Sequence, residues 1–287
     1  MSDKIRNLLV RTASGVVLLG IVLAAAFTGY CGFSALLMLI TIVGVWEFYQ
    51  LAMAKGVVPQ RCMGLIASLL LFGASYCALE SVVGGRGVGM LGFALALLLV
   101  TVIALIFFVE VFRNKENPLL NIATTIMGVA YVALPMSLML FIPELLSPGT
   151  WNPWIFLFYL FLVWGNDVFA YLVGISIGRH KMSPRLSPKK SWEGFFGGIL
   201  GSLAMGAFGA FVVEGSYIMW IGLAFVVSLS SVLGDLVESM FKRDAGVKDS
   251  GNFIPGHGGM LDRFDAFILS APMAFLYLLI IYLIELI

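Results

Sequence analysis

The sequence predicts an all-α protein that crosses a membrane about nine times. Hydrophobic residues make up 61% of the 287 residues and charged residues only 11%, whereas a soluble domain carries about 25% charged residues. Apolar stretches of about 20 residues, the length that crosses a bilayer, follow one another along the whole chain. The basic residues are confined to short loops between these stretches. We therefore expect the bilayer to be the solvent of this chain, and the net charge of +1 gives no indication of nucleic-acid binding.

Short polar turns separate the nine predicted spans. Ser147-Pro148-Gly149 and Asn152-Pro153 lie between the fifth and sixth spans, and Glu214-Gly215-Ser216 lies between the seventh and eighth. The first span ends near three alanines, as a signal peptide does, but many spans follow it, so we expect an uncleaved helix. The predicted spans are 12–30, 32–53, 63–80, 89–111, 120–142, 153–177, 194–213, 217–238 and 264–286.

The distribution of Lys and Arg predicts a cytoplasmic N-terminus. With the N-terminus inside, sixteen of the seventeen basic residues fall on the cytoplasmic side, and only Arg86 falls outside. The two loops richest in charge, 179–193 and 239–263, then both emerge in the cytoplasm, where nucleotides and metal ions are available. We divide the chain into five N-terminal spans, residues 1–150, and a catalytic region, residues 151–287, that contains both loops.

The segment from Ser239 to Asp265 carries most of the functional signal. It places four aspartates, four basic residues, a histidine and several glycines between two hydrophobic stretches. Ionisable residues at a membrane usually mark a substrate or ion site. Clustered carboxylates can hold a hard divalent cation, and basic side chains can hold phosphates. The segment therefore indicates phosphoryl or nucleotidyl transfer at a membrane surface.

Two groups of acids lie at the two ends of this segment. Asp235, Glu238 and Lys242 share one face of the eighth helix, where the alternative is an ordinary ion-pair ladder at a helix end. Asp262 and Asp265 share a face at the start of the ninth helix, where the alternative is helix capping. Two acidic groups at one membrane face would suit a divalent metal. The glycines between them permit close backbone approach and leave amides available to bind anions.

The other charged loop, 179–193, predicts a phosphate site at a helix start. Ser183-Pro184 and Ser187-Pro188 each have the pattern of an N-cap followed by proline in the first helical turn. Amide donors and positive charge would then converge on phosphate. The residues expected to act there are Lys189, Lys190, Ser191 and Glu193, whereas Arg179, Lys181 and Arg185 are attributed to membrane orientation.

Two further acids lie inside apolar spans. Asp167, in the middle of the sixth span, should face the protein interior and serve catalysis or a metal site, unless it is a buried structural acid. Glu47 has no polar neighbours in the sequence, so a structural role is expected. We expect the sixth, eighth and ninth spans to surround a polar funnel, wet on the cytoplasmic side and open sideways to lipid.

The ordered signature from Ser239 to Asp265 resembles that of the phosphatidate cytidylyltransferases, also called CDP-diacylglycerol synthases. The pattern S-x-apolar-K-R, four residues, K-D, then H-G-G-apolar-x-D-R-apolar-D is met at every fixed position. SPKKSWEG at 187–194 is similar to the second family motif, with Ser191 where threonine is more usual. Asp167 and the Gly234-Asp235-Leu236 sequence fit as well. The specific resemblance covers about the C-terminal 120 residues.

This resemblance implies transfer of the CMP moiety of CTP to phosphatidic acid, giving CDP-diacylglycerol and pyrophosphate. It implies that Asp235 and Asp262 bind Mg²⁺. It leaves open whether a monovalent cation such as K⁺ binds as a second ion. The implied catalytic residues are Asp235, Asp262, Asp167, Lys242, Arg263 and Asp265. The implied substrate-binding residues are Lys189, Lys190, Ser191, Glu193, Arg243, Lys248, Asp249, His257, Gly258 and Gly259.

The implied setting is a bacterial inner membrane with the active site facing the cytoplasm. Family members are often dimeric, so a homodimer is an open expectation. A different membrane transferase acting on a lipid phosphate, such as a prenyl-phosphate glycosyl phosphotransferase, would share acids and basic loops but not the ordered signature. A secondary transporter would need charged groups near the midplane and two related halves, and the sequence has no such repeat.

Overall fold

The computed structural model describes residues 3–83 and 87–285, without the side chains of residues 3–8. Arg86 and the side chains of Lys4 and Arg6 lie outside the described residues, so the orientation inferred from the basic residues stays a prediction.

The described chain is almost entirely helical. Its elements are α1 (Asp3–Phe27), α2 (Gly29–Ala54), α3 (Arg61–Val83), α4 (Gly89–Arg113), α5 (Pro118–Gly128), a π-helical turn (Val129–Ala133), α6 (Leu134–Met139), α7 (Ile142–Leu146), α8 (Pro153–Ile177), β1 (Lys181–Ser183), β2 (Ser187–Ser191), α9 (Trp192–Val212), α10 (Tyr217–Asp244) and α11 (Leu261–Glu285).

Nine helical stretches in the described residues are long and apolar enough to cross a membrane, which confirms the predicted class. The fifth stretch, Pro118–Leu146, combines α5, the π-helical turn, α6 and α7. Of the boundaries that differ from the prediction, two bear on the site. Because α10 continues to Asp244 and α11 begins at Leu261, Lys242 and Asp262 lie on helices and the connecting loop is shorter than 239–263.

The fourth span, α4, presents its apolar side chains outward. Met90, Phe93 and Val111 are 86%, 68% and 75% exposed, and the most apolar window of this helix has a mean hydropathy of 3.0. In water, such a continuous apolar surface would promote association. Contact with lipid tails removes that cost, so this surface suits a bilayer.

The loop between the sixth and seventh spans differs from the prediction of two serine-capped helix starts. It forms an antiparallel hairpin of β1 and β2, in which Ser183 pairs with Ser187. Pro188 is tolerated because a two-stranded ribbon has open edges that need no amide from it. The N-cap of α9 is Ser191, whose Oγ accepts a hydrogen bond from the amide of Gly194.

The chain divides into two compact units. The first contains residues 1–140 and 241–264, and the second contains residues 141–240 and 265–287. The packing therefore groups residues 241–264 with the N-terminal helices, whereas the sequence suggested that this segment belongs to the C-terminal region.

Tyr49 anchors the interior of the first unit. Its ring is fully buried, and its hydroxyl donates to the carbonyl of Thr125 at 2.7 Å. Gly64 and Gly128 face this ring so closely that a Cβ at either position would overlap it. The two glycines thus let α3 and α5 pack directly against α2.

Glycines on α9 shape the interior of the second unit. Gly194, Gly197, Gly198 and Gly201 face α8, where an added Cβ would meet Ala170, Val173, Asn166 or Phe169 within 3 Å. This close approach shows that the glycines of α9 serve helix packing. It also fixes α8, which carries Asp167, beside the hairpin end of α9.

Candidate active site

A cavity of about 680 Å³, lined by both charged and apolar side chains, lies in the second unit. Its walls come from α8, the β1–β2 hairpin, α9 and α10, and its polar side chains include Asp167, Lys189, Lys190 and Asp235. The cavity thus brings together four of the residues that the sequence predicts to act. Its walls belong to the sixth, seventh and eighth spans, whereas the predicted funnel was formed by the sixth, eighth and ninth.

Asp167 and Lys181 both line the cavity. Asp167 lies on α8, and its side chain is accessible from the cavity. Lys181 was attributed to membrane orientation, yet it lines the same cavity from β1. Because the sequence did not indicate the hairpin, it gave no signal that Lys181 would lie on the same side as Lys189 and Lys190.

Asp235 pairs with Lys190 across the cavity wall. The Nζ of Lys190 lies 2.7 Å from Oδ2 of Asp235, and both side chains remain partly exposed. The Oγ of Ser239, one turn further along α10, donates to Oδ1 of Asp235 at 3.2 Å. The carboxylate is therefore oriented by two partners while it stays accessible from the cavity.

Ser191 and Glu193 hold the hairpin in place. Glu193 accepts from the amides of Arg179 and His180 at 3.1 and 3.2 Å, and its Oε1 lies 2.6 Å from Nδ1 of His180. The amide of Trp192 donates to the carbonyl of His180 at 2.9 Å. Together with the Ser191 cap, these bonds fix β2 at the start of α9. By these contacts, Ser191 and Glu193 position Lys189 and Lys190. The predicted contact of Ser191 and Glu193 with substrate stays a prediction.

Three carboxylates form a candidate metal site in the second unit. Asp235, Glu238 and Asp265 each offer an oxygen within 4.8 Å of the others. Glu238 is fully buried. At Gly234 a Cβ would lie 2.6 Å from the carbonyl oxygen of Asp265, so this glycine allows the two helices to approach at the cluster. Hard oxygen donors at this spacing fit a divalent cation such as Mg²⁺.

Asp262, the other predicted metal ligand, lies in the first unit and is paired with Lys242. The Nζ of Lys242 lies 2.7 Å from Oδ1 of Asp262. Oδ2 accepts from the amides of Ser250 and Gly259 at 2.9 and 2.8 Å. The side chains of Lys242 and Asp262 are only 11% and 5% exposed. The described contacts give Asp262 a basic counterion, and its role as a metal ligand stays a prediction.

The glycine-rich loop closes on acids of the chain itself. Whereas the sequence predicted amides available for a ligand, those of Met260 and Leu261 donate to Glu47 at 3.0 and 2.8 Å, and that of Gly259 donates to Asp262. Glu47 on α2 is 3% exposed. This contact was missed because its partners lie more than 200 residues away in the sequence.

His257 and Arg263 stabilise a turn in that loop. Pro255 and Gly256 form its centre, with a positive φ of 74° at Gly256, and the amide of His257 donates to the carbonyl of Ile254. Nε and Nη2 of Arg263 donate to the His257 carbonyl at 3.0 and 2.6 Å. Nδ1 of His257 lies 2.7 Å from Oγ of Ser14. Burial, together with the charges of Arg263 and Arg11, lowers the pKa of His257, so the ring is neutral near pH 7.

The remaining predicted residues lie at the end of α10 and along the same loop. Arg243, Lys248 and Asp249 are exposed, and Nη1 of Arg243 donates to the carbonyl of Val247 at 3.2 Å. Gly258 has a φ of 88°, and a Cβ there would lie 2.8 Å from Oδ2 of Asp262. The basic side chains of Arg243 and Lys248 are accessible to soluble phosphates, whereas Gly258 makes room for Asp262.

Comparison with known proteins places this chain in a family. Phosphatidate cytidylyltransferase of Synechocystis sp. is 32% identical over 296 residues, which cover 94% of this chain and 96% of that protein. The Rickettsia bellii protein of the same name is 39% identical over 163 residues, or 54% and 69% of the two chains. The Staphylococcus aureus (strain COL) protein of that name is 42% identical over 166 residues, or 57% and 61%. Residues 9–281 match the family model described as "Cytidylyltransferase family". The chain belongs to the cytidylyltransferase family.

Proposed function

We propose that this protein transfers the CMP moiety of CTP to phosphatidic acid, releasing pyrophosphate and forming CDP-diacylglycerol. The observation that carries the proposal is the cavity that unites Lys189, Lys190, Asp167 and Asp235 in a chain of this family. Relatives that carry the name phosphatidate cytidylyltransferase match up to 94% of the chain. A different lipid-phosphate transferase or a transporter has no comparable support.

The reaction needs charge neutralisation more than a strong base. An oxygen of the phosphatidate phosphate attacks the α-phosphorus of CTP, and the bond from that phosphorus to the bridging oxygen of the β-phosphate breaks. The attacking phosphate is already anionic. Catalysis therefore rests on positioning two anions and stabilising the charge that develops on the leaving pyrophosphate.

Lys189 and Lys190 are the cations proposed to bind the triphosphate. Both lie on β2 at the cavity wall, and the hairpin that carries them is fixed by Glu193 and Ser191. Lys190 is paired with Asp235, so the cavity combines positive charge for phosphate with a carboxylate beside it. Lys181 adds a third basic group from β1.

The donor set of Asp235, Glu238 and Asp265 fits Mg²⁺ because all three groups are carboxylates with oxygens within 4.8 Å of one another. Mg²⁺ held there would neutralise phosphate charge and favour departure of pyrophosphate. On the sequence signature alone, Asp262 is proposed as a further ligand of Mg²⁺. The signature is also the only support for a second ion, K⁺. The same signature supports phosphate-binding roles for Lys242, Arg243, Lys248 and Arg263.

The proposed setting follows from the substrates. Phosphatidic acid keeps its acyl chains in the bilayer, whereas CTP is soluble and must reach the cavity from the cytoplasm. We therefore propose an inner-membrane enzyme whose cavity opens to the cytoplasm, and the basic residues of the hairpin agree with that side. A homodimer remains a prediction.

The experiment is turnover by the purified protein in detergent with α-labelled CTP and phosphatidic acid. Labelled CDP-diacylglycerol and an equal amount of pyrophosphate are expected. Replacing phosphatidic acid with a prenyl phosphate, and CTP with a nucleotide sugar, tests the other transferase class. Uptake of a substrate into vesicles without turnover would support transport and would overturn the proposal.

A further inference from the structure

We infer that Glu47 is a positioning residue, whose buried carboxylate holds the loop that orients Asp262. Glu47 lies on α2, in the second span, about 200 positions before the catalytic signature. This inference concerns contacts within the first unit only, and its catalytic consequence rests on the role proposed for Asp262.

The carboxylate of Glu47 caps the start of α11, although the two are far apart in the sequence. The first amides of a helix have no partner within the helix and need an acceptor from elsewhere. Oε1 of Glu47 accepts from the amide of Met260 at 3.0 Å, and Oε2 accepts from the amide of Leu261 at 2.8 Å. Oε2 also accepts from Oγ of Ser250 at 3.3 Å. A leucine would fill the same volume, so what Glu47 supplies is acceptor oxygens for these donors.

Two glycines show how closely the loop packs around this carboxylate. A Cβ at Gly251 would lie 2.5 Å from Oε1 of Glu47, and a Cβ at Gly259 would lie 2.6 Å from Oε2. Real side chains do not approach oxygen so closely. Close contact with Glu47, and at Gly259 also with Oγ of Ser250, therefore explains both glycines without any ligand.

The same loop residues hold Asp262. Ser250 donates its hydroxyl to Glu47 and its amide to Asp262. The amide of Gly259 donates to Asp262, and the next amide, that of Met260, donates to Glu47. Because the two carboxylates share adjacent donors, displacement of the loop from Glu47 must also move Asp262 relative to Lys242. A shift of about 1 Å at a catalytic group can lower the rate by about a hundredfold.

The chain offers a matched control in Glu110. This acid is also buried in a span of the first unit, at 4% exposure, and accepts from Gln60, Arg113 and Asn121 at 2.6–2.8 Å. Its partners lie outside the 250–261 loop. Glu110→Gln therefore removes a buried carboxylate, in this case one paired with Arg113, without touching the donors that Glu47 shares with Asp262.

The experiment compares the purified Glu47→Gln and Glu110→Gln variants, each first checked to be as stable in detergent as the wild-type protein. Hydrogen exchange measured by mass spectrometry should show faster exchange at residues 250–261 in Glu47→Gln and unchanged exchange there in Glu110→Gln. For CTP turnover, kcat should fall at least about tenfold in Glu47→Gln with KM within about threefold, whereas Glu110→Gln should keep kcat within about twofold. Equal exchange and equal kcat in the two variants would overturn the inference.

Ser250→Ala serves if Glu47→Gln does not fold. It removes one donor to Glu47 and leaves the buried acid in place, so faster exchange at 250–261 and a smaller fall in kcat are expected. Wild-type values for both would contradict the inference. If the wild-type protein itself fails to turn over CTP with phosphatidic acid, the proposed function fails, while the exchange data still test the contact of Glu47 with the loop.

Discussion

Lys190 and Asp235 form an ion pair of 2.7 Å that joins strand β2 to helix α10 at the wall of the cavity. The pair shows how one site serves two kinds of ligand. The lysine is suited to phosphate and the carboxylate to a cation, and each neutralises the other when neither ligand is bound.

Asp235→Asn should nearly abolish turnover while leaving the protein folded. The change keeps the shape of the side chain but removes the charge that a divalent cation and Lys190 both require. Loss of metal stabilisation costs several kcal/mol, so less than about a tenth of wild-type activity should remain. The measurement is CDP-diacylglycerol formation, with size-exclusion behaviour as the folding check. A variant that keeps more than a tenth of the activity would exclude Asp235 from the metal site.

Asp265→Asn should raise the Mg²⁺ concentration needed for half-maximal activity by about tenfold or more, because it removes one of three clustered carboxylates. The same titration on Asp262→Asn tests the ligand that the sequence signature implies. Asp244→Asn is the control, since Asp244 is an exposed acid paired with Lys55. An unchanged Mg²⁺ requirement in Asp265→Asn would show that the cluster does not hold the ion.

Lys189→Gln should lower activity sharply without changing membrane orientation. Lys189 lines the cavity and is proposed to bind phosphate, and loss of one basic residue among seventeen is too small a change to invert the chain. Arg185→Gln is the matched control, because Arg185 lies in the turn of the same hairpin and is exposed. Kinetics like those of the wild type in both variants would return Lys189 to a purely topological role.

The stability of the protein should decrease as the pH falls through about 6.5, the usual pKa of an unfolded-state histidine. Burial and the charges of Arg263 and Arg11 lower the pKa of His257 in the folded state, so the unfolded chain binds the proton more readily. Thermal unfolding in detergent between about pH 8 and pH 5.5 measures this change. His257→Gln should lose part of the dependence. An identical pH profile in the variant and the wild type would contradict it.

The sequence predicted the spans better than it predicted the contacts between distant residues. Nine apolar stretches indicate nine spans because length and hydropathy are local properties. The hairpin was missed because serine followed by proline favours a helix start, whereas the hairpin is held by contacts between residues further apart, such as Glu193 with His180. The sequence predicted only some of the contacts that the acidic residues make. Helical spacing relates Asp235 to Glu238, but the contact between Glu47 and Leu261 joins residues 214 positions apart.

Access to the cavity tests the account most directly. Tyr171 lines the cavity without belonging to the proposed catalytic set, and Cys31, Cys62 and Cys77 are free thiols that can be replaced to give a cysteine-free background. In that background, Tyr171→Cys should react with a small membrane-impermeant thiol reagent from the cytoplasmic side, and CTP with Mg²⁺ should slow the reaction. Thr150→Cys, in the loop between the fifth and sixth spans, should react only from the opposite side. Labelling of Tyr171→Cys only from the opposite side, or labelling that CTP does not slow, would contradict the proposed site.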